Sequence, residues 1–322
     1  MRFGTVAIVG RSNVGKSTFL NAVLGEKLAV VSRLPQTTRD ALLGVMHRPA
    51  AQIGFLDTPG MHKPRTELGK RMNAAALEAA RTADVILFMT DVSALAQPKS
   101  TGEIAQEDRV ILAVVPESVP CVLVLNKVDL LRDKSRLLPF IEAWTKLHPF
   151  AAIVPVSVLD AQGVERVVEE LAKLVPEGPP GYDAEMLTDK PTSYFVREYI
   201  REQVLLQAGR EVPHAVAVSI DEFDERGSTA VVKATLHVEK VGQRKILIGH
   251  GGAKIREIGT RARERIEALM DRKVYLSLFV RVTPRWKDAS RKLAEFGYEP
   301  GARAGQTPDF ESPRSRTRSE RE

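Results

Sequence analysis

Residues 10–18 read GRSNVGKST and match the spacing G-x-x-x-x-G-K-[ST]. A loop of this kind works only where a buried strand runs into it and a helix leaves it. The backbone N–H groups then close around a polyphosphate, with the helix N-terminus behind them. Both flanks are present, as the apolar run "TVAIVG" before the loop and "KSTFLNAVLG" after it. The first half is therefore expected to be built from strand–loop–helix units. Backbone N–H groups of Asn13, Val14, Gly15 and Thr18 would line the phosphates, Lys16 would reach the β- and γ-phosphates, and Ser17 would ligate Mg²⁺.

The rest of the first half repeats that rhythm. "QIGFLDTPG", "DVILFMTDVS", "CVLVLNKVD" and "AIVPVSV" are apolar runs that each end in small or polar residues, and amphipathic stretches such as "GVERVVEELAKLV" separate several of them. The pattern predicts an α/β domain over residues 1–175, with a mostly parallel sheet covered by helices on both faces. Ligands of such sheets sit beyond the carboxyl ends of the strands. The single cysteine, Cys121, lies inside an apolar run and is expected to be a buried thiol. No apolar run approaches the length of a membrane span. The opening "MRFGTVAIVG" goes directly into strand pattern, so no secretion signal is expected and a cytoplasmic protein is.

Three motifs at strand ends choose the nucleotide. In "DTPG", Asp57 would hold the Mg²⁺ shell and Gly60 would offer its N–H to a γ-phosphate. In "NKVD", Asp129 can accept two hydrogen bonds from guanine, where adenine presents no matching donor pair; Asn126 and the stem of Lys127 would brace the loop and base. A site built for a donor pair rejects an analogue lacking it by roughly 10⁴ or more. GTP or GDP is the expected ligand.

Taken in this order, the motifs resemble those of the translation-factor-related GTPases. That resemblance implies that "SVLDAQG" completes the base site, with Ser157 and the Val158 N–H at guanine O6. It also implies that "PQTTRD" is the first switch, in which Thr38 completes the Mg²⁺ site when GTP is bound. Lys16, Asn13, Thr38 and Gly60 are the residues expected to carry catalysis. In Ras-type GTPases a glutamine after the second-switch glycine orients the attacking water; here that position is Met61, and His62 beside it is a candidate. Related GTPases with this loop asparagine and a paired-threonine switch hold K⁺ beside the phosphates. Asn13 and the backbone near Thr37 are expected to do so here, where a fixed cation would stabilise developing charge.

"VPEGPPGYD" breaks the rhythm and reads as a linker, placed at 176–185. Beyond it the order becomes helix, strand, strand, helix–loop–helix, strand, an α+β domain over 186–298. Residues 240–303 carry 16 Lys/Arg against 7 Asp/Glu, a charge suited to a polyanion. Inside that block, Gly249-His250-Gly251-Gly252 joins two helical stretches. The arrangement resembles a type II KH domain, whose glycine loop clamps single-stranded nucleic acid. Lys245, Lys254 and Arg256 are the candidate RNA contacts beside the loop, while Arg261, Arg263 and Arg265 are assigned to a solvated helix face. The tail, 299–322, lacks apolar periodicity and is expected to be disordered.

A GTPase domain, a linker and a KH domain in this order resemble the Era family of bacterial ribosome-assembly GTPases, over roughly residues 3–298. The resemblance implies binding near the 3′ end of 16S rRNA on the 30S subunit, with GTP controlling RNA-bound and released states. It also implies weak peripheral association with the inner face of the cell membrane, for which no clear amphipathic anchor is visible. A monomer is expected. A tRNA-modifying GTPase would carry a different partner domain. A passive RNA scaffold would not need Lys16, Ser17, Asp57 and Asp129 intact.

Overall fold

The computed structural model describes residues 1–32, 34–97, 102–209 and 212–298. The expected tail at 299–322 lies outside the described residues. The first half contains β1 (Arg2–Val9), α1 (Lys16–Leu24), β2 (Leu42–His47), β3 (Ala51–Asp57), α2 (Glu67–Thr82), β4 (Val85–Asp91), α3 (Gln106–Leu112), β5 (Cys121–Asn126), α4 (Leu137–Thr145), β6 (Ala152–Pro155) and α5 (Ala161–Leu174).

The six strands form one sheet in the order β2-β3-β1-β4-β5-β6. All neighbours are parallel except β2, which runs antiparallel to β3. Strand residues alternate between two apolar layers, and this explains the continuous apolar runs. Val6 and Ile8 of β1 join Phe19, Phe55 and Val167 on one face. Ala7 and Val9 join Phe88, Leu123 and Trp144 on the other. Parallel strands are buried on both faces in this way because crossover helices cover each side. Cys121 is buried, and burial pushes its thiol up to about 12.

The second half contains α6 (Thr192–Gln207), β7 (Ala217–Asp224), β8 (Thr229–Val238), α7 (Val241–Ile248), α8 (Ala253–Met270), β9 (Lys273–Val282) and α9 (Ser290–Glu295). Its sheet runs β7-β8-β9, antiparallel between β7 and β8 and parallel between β8 and β9. A parallel neighbour needs a crossover, which α7 and α8 supply. Val196, Ile200 and Val204 of α6, with Ile258, Ala262 and Ile266 of α8, share a core with Val218, Val232, Ala234 and Leu236 of the sheet. This is the α-β-β-α-α-β order of a type II KH fold.

The segment rich in proline and glycine is not a free tether. Gln52 of β3 grips it, accepting from the Gly181 and Tyr182 N–H groups at 2.9 Å and donating to the Tyr182 carbonyl at 2.8 Å. The Val45 N–H donates to the Leu187 carbonyl at 2.8 Å, extending the grip along β2. Among the described residues, no helix is long and apolar enough to cross a membrane.

Candidate nucleotide and nucleic-acid sites

The nucleotide site is assembled at the carboxyl ends of β1, β3, β4 and β5. A cavity of about 400 Å³ is lined by Asn13, Lys16, Ser17, Thr18, Thr38 and Gly60, with Lys127 at one end. Gly15 caps α1 at φ 109°, and a Cβ there would stand 2.3 Å from Asn126 Nδ2. Only glycine lets the loop turn this closely. Lys16 is buried and donates to the Gly10 and Arg11 carbonyls at 3.0 and 2.9 Å. Burial lowers its ammonium to about 8. Phosphate oxygens arriving beside it would favour the charged form again.

Three oxygens converge opposite the loop. Ser17 Oγ donates to Asp57 Oδ2 at 2.6 Å and lies 2.9 Å from Thr38 Oγ1, which is itself 3.4 Å from the same carboxylate oxygen. Asp57 Oδ1 is buried with no hydrogen-bond partner among the described residues, and burial raises the carboxyl to about 6. A hard cation with oxygen ligands fits this set, and its charge would restore the carboxylate. Ser17, Thr38 and Asp57 are therefore the residues that would hold Mg²⁺.

The loop after β5 is braced by Asn126 and Lys127. Asn126 is buried and donates to the Val14 carbonyl at 2.7 Å, and its Oδ1 accepts from the Lys127 N–H at 2.7 Å. Lys127 Nζ binds the Asn13 carbonyl at 2.8 Å and Asp91 at 2.9 Å. Asp129 is exposed just past β5. The Val158 N–H, expected at guanine O6, donates to Asn126 Oδ1 at 3.0 Å, so it is already engaged within the protein. Ser157 Oγ faces the Leu159 N–H at 3.4 Å. Motif reading passed over Asp91 and Asp108. Asp108 binds Arg11 Nε through both oxygens at 3.0 Å and ties the phosphate loop to α3.

Two family models match the chain: "50S ribosome-binding GTPase" over residues 5–127 and "KH domain" over residues 211–287. GTPase Era of Geotalea uraniireducens is 44% identical over 92% of this chain and 98% of its own length. GTPase Era of Staphylococcus haemolyticus is 41% identical over 92% and 96%. A crystal structure of Era with MgGDPNP and nucleotides 1506–1542 of 16S ribosomal RNA superposes with a TM-score of 0.85 at 37% identity, covering 92% of this chain and 99% of that one. The Aquifex aeolicus Era variant bound to GDP·AlF4⁻ gives a TM-score of 0.85 at 36% identity over the same shares.

The chain belongs to the Era family. As a member it is a GTPase, with a P-loop G domain followed by a KH domain.

In the KH half of this Era-family chain, the glycine loop sits between α7 and α8. Gly249, Gly251 and Gly252 have φ of 71°, 54° and 78°. A Cβ on Gly251 or Gly252 would meet nothing within 4 Å, so the loop leaves open space on its outer side. The loop leads into a groove of about 400 Å³ between α8 and the edge of β9, lined by Gly252, Ile255, Arg256, Gly259, Arg263 and Leu278. His250 and Lys245 are exposed beside it. Lys254 is held by Glu257 at 3.1 Å.

The helix-face arginines divide three ways. Arg261 is exposed and reaches Glu257 only at 3.8 Å, as a solvated residue does. Arg263 instead lines the groove, because the face of α8 that carries Arg256 and Gly259 also carries position 263. Arg265 corrects the assignment most clearly. It pairs with buried Glu202 and lies 4.2 Å over the Tyr199 ring, so it is packed against α6.

Both switch segments touch the KH half. The Arg39 guanidinium donates to the Val216 carbonyl at 2.7 Å and to Tyr298 Oη at 3.1 Å, and lies over the Trp286 and Tyr298 rings. Arg201 of α6 donates to the Thr37 carbonyl at 2.5 Å. That carbonyl lies in the stretch of backbone near Thr37 expected to help hold K⁺. Leu68 and Met72 of α2 pack with Trp286, Leu293, Phe296 and Tyr298. Arg71 donates to the Tyr298 carbonyl at 2.6 Å.

Proposed function

We propose that this GTPase is a switch that binds single-stranded 16S rRNA near its 3′ end through the KH groove and assists maturation of the 30S subunit. It would act as a cytoplasmic monomer, with residues 1–175 as the nucleotide domain, 176–185 as the linker and 186–298 as the RNA-binding domain. GTP or GDP would sit in the phosphate-loop cavity with Mg²⁺ on Ser17, Thr38 and Asp57. Asp129 would read guanine, and Asn13 would contribute to a K⁺ site beside the phosphates. Gly249, His250, Gly251 and Gly252 would meet the RNA backbone, with Lys245, Lys254 and Arg256 beside them.

The observation that carries this reading is the contact of both switches with the KH half. Thr37 is adjacent to Thr38, the residue expected on Mg²⁺, and its carbonyl is bound by Arg201 of α6. Switch segments ordered by γ-phosphate and Mg²⁺ relax once hydrolysis removes the phosphate. Loss of GTP would therefore loosen the seat of the RNA-binding half. The Era structure carrying MgGDPNP and nucleotides 1506–1542 supports the choice of RNA.

Crosslinking to total RNA with GTP and with GDP, followed by sequencing of the attached fragments, tests the reading. Fragments concentrated near the 16S 3′ end, and differing in yield between the nucleotides, are expected. Fragments scattered through total RNA, or identical yields, would reject it.

A further inference from the structure

The side chain that follows the second-switch glycine cannot act on the nucleotide. Met61 is 2% exposed and packs into the apolar layer with Ala7, Val9 and Phe88. The cavity nevertheless has a carboxamide in its wall. Gln36, in the first switch, lines the cavity together with Lys16, Ser17 and Gly60. Its φ is 62°, a left-handed conformation that a glutamine rarely adopts and that tends to be kept at functional positions.

A hydrogen-bond chain across the two switches holds this side chain. Gln36 Nε2 lies 2.9 Å from His62 Nε2, and His62 Nδ1 lies 3.0 Å from the Gly60 carbonyl oxygen. A carbonyl oxygen only accepts, so Nδ1 carries the ring proton and Nε2 is the acceptor. The Gln36 amide nitrogen donates to it. The nitrogen end of the carboxamide is thereby committed, and Oε1 is the end available to a water in the cavity.

The ring is itself fixed from behind. Asn73 of α2 is fully buried, donates to the His62 carbonyl at 2.7 Å and accepts from the His62 N–H at 3.3 Å. A Cβ at Gly69 would stand 3.3 Å from His62 Nε2, so a methyl there would press on the ring. Gln36, His62, Asn73 and Gly69 are not among the phosphate, base or Mg²⁺ contacts described above.

We propose that Gln36 orients the attacking water for GTP hydrolysis and that His62 positions Gln36. The first switch would then supply the carboxamide that Ras-type GTPases supply from the second. In the step, the water oxygen bonds to the γ-phosphorus as the bond from that phosphorus to the β–γ bridging oxygen breaks. GDP keeps the bonding pair, and the water proton passes to phosphate oxygen. Gln36 Oε1 accepts a hydrogen bond from the water and takes no proton. The proposal rests on the GTPase reading of this cavity.

The test separates chemistry from binding in the full chain. Single-turnover GTP hydrolysis is measured for wild type, Gln36→Ala and His62→Ala, beside calorimetric affinity for GMPPNP and aluminium-fluoride-dependent retention of GDP. Gln36→Ala is expected to slow hydrolysis by about 10²-fold and to lose the aluminium-fluoride effect, with GMPPNP affinity held within about twofold. His62→Ala, whose glutamine is present but unheld, is expected to slow it by about tenfold with the same split. Hydrolysis by Gln36→Ala within about threefold of wild type would overturn the proposal, as would rate and GMPPNP affinity falling together, which a merely structural role would give. Wild-type protein that fails to bind GMPPNP would overturn the reading of the cavity as well, and so is a distinct outcome.

Discussion

Arg201 reaches from the first helix of the KH half to the Thr37 carbonyl of the first switch at 2.5 Å. Its guanidinium is fully buried and also pairs with Glu198. Burial by itself would lower this pKa, but the Glu198 charge more than offsets it and the net direction is upward. Arg201→Leu leaves Glu198 buried without its main partner and is expected to cost about 3–5 kcal/mol in denaturant unfolding. Arg201→Leu with Glu198→Leu should recover most of that stability. It should not recover coupling: the ratio of RNA affinities with GMPPNP and with GDP should fall toward one.

Asp129 is exposed, so removing its carboxylate leaves the fold intact. Asp129→Ala should weaken GDP binding by at least tenfold and shrink the preference for GTP over ATP from roughly 10⁴. Competition calorimetry with both triphosphates checks it. Unchanged discrimination would place base reading elsewhere.

Two arginines on α8 should behave differently. Arg256 lines the groove, so Arg256→Ala should weaken single-stranded RNA binding and flatten the log–log salt slope by about 0.7 while leaving GTP turnover alone. Arg265 is half-buried, paired with Glu202 and stacked over the Tyr199 ring. Arg265→Ala should lower the melting temperature and leave the salt slope unchanged.

GTP turnover in KCl should exceed that in NaCl, and Asn13→Ala should remove the difference. Equal wild-type rates in the two salts would eliminate the monovalent site. The Thr37 carbonyl can contribute only while also accepting from Arg201.

His237 makes stability depend on pH. Burial, with the nearby Arg281 charge, lowers its ring to about 4. Ser219 spends its hydroxyl proton on Asp221, so His237 Nε2–H donates to Ser219 at 2.9 Å and Nδ1 accepts from Thr283 at 2.9 Å. Between pH 6.5 and about 4 the unfolded chain binds a proton that the folded one refuses. Stability present above pH 6.5 should therefore be lost as pH falls through that window, by roughly 3 kcal/mol at most. Urea titrations of wild type and His237→Gln at several pH values check this; the variant should show a flatter acid limb.

The motifs located the nucleotide site because each is local: a loop and two strand ends whose neighbours in space follow from parallel order. β1, β4 and β5 were legible as continuous apolar runs for the same reason. β2 escaped notice, since "LLGVMH" carries no motif and joins the sheet by antiparallel pairing with β3. Arg39, Arg201, Trp286 and Tyr298 were unreadable in advance because their roles exist only across a domain contact. Arg263 and Arg265 sit two residues apart in the same basic run. What separates them is which neighbour faces each turn of α8, and charge counting does not contain that information.

Gln52 and Val45 hold the connecting segment as far as Leu187, and α6 begins at Thr192. Only residues 188–191 span the gap from Leu187 to Thr192, a reach of roughly 17 Å even when drawn straight. Should the switch contacts let go, the RNA-bearing half would swing on a short leash instead of diffusing away. Its local concentration near the G domain would remain on the order of millimolar. Re-docking after each round of nucleotide exchange then becomes an intramolecular event, insensitive to how dilute the protein is in the cell.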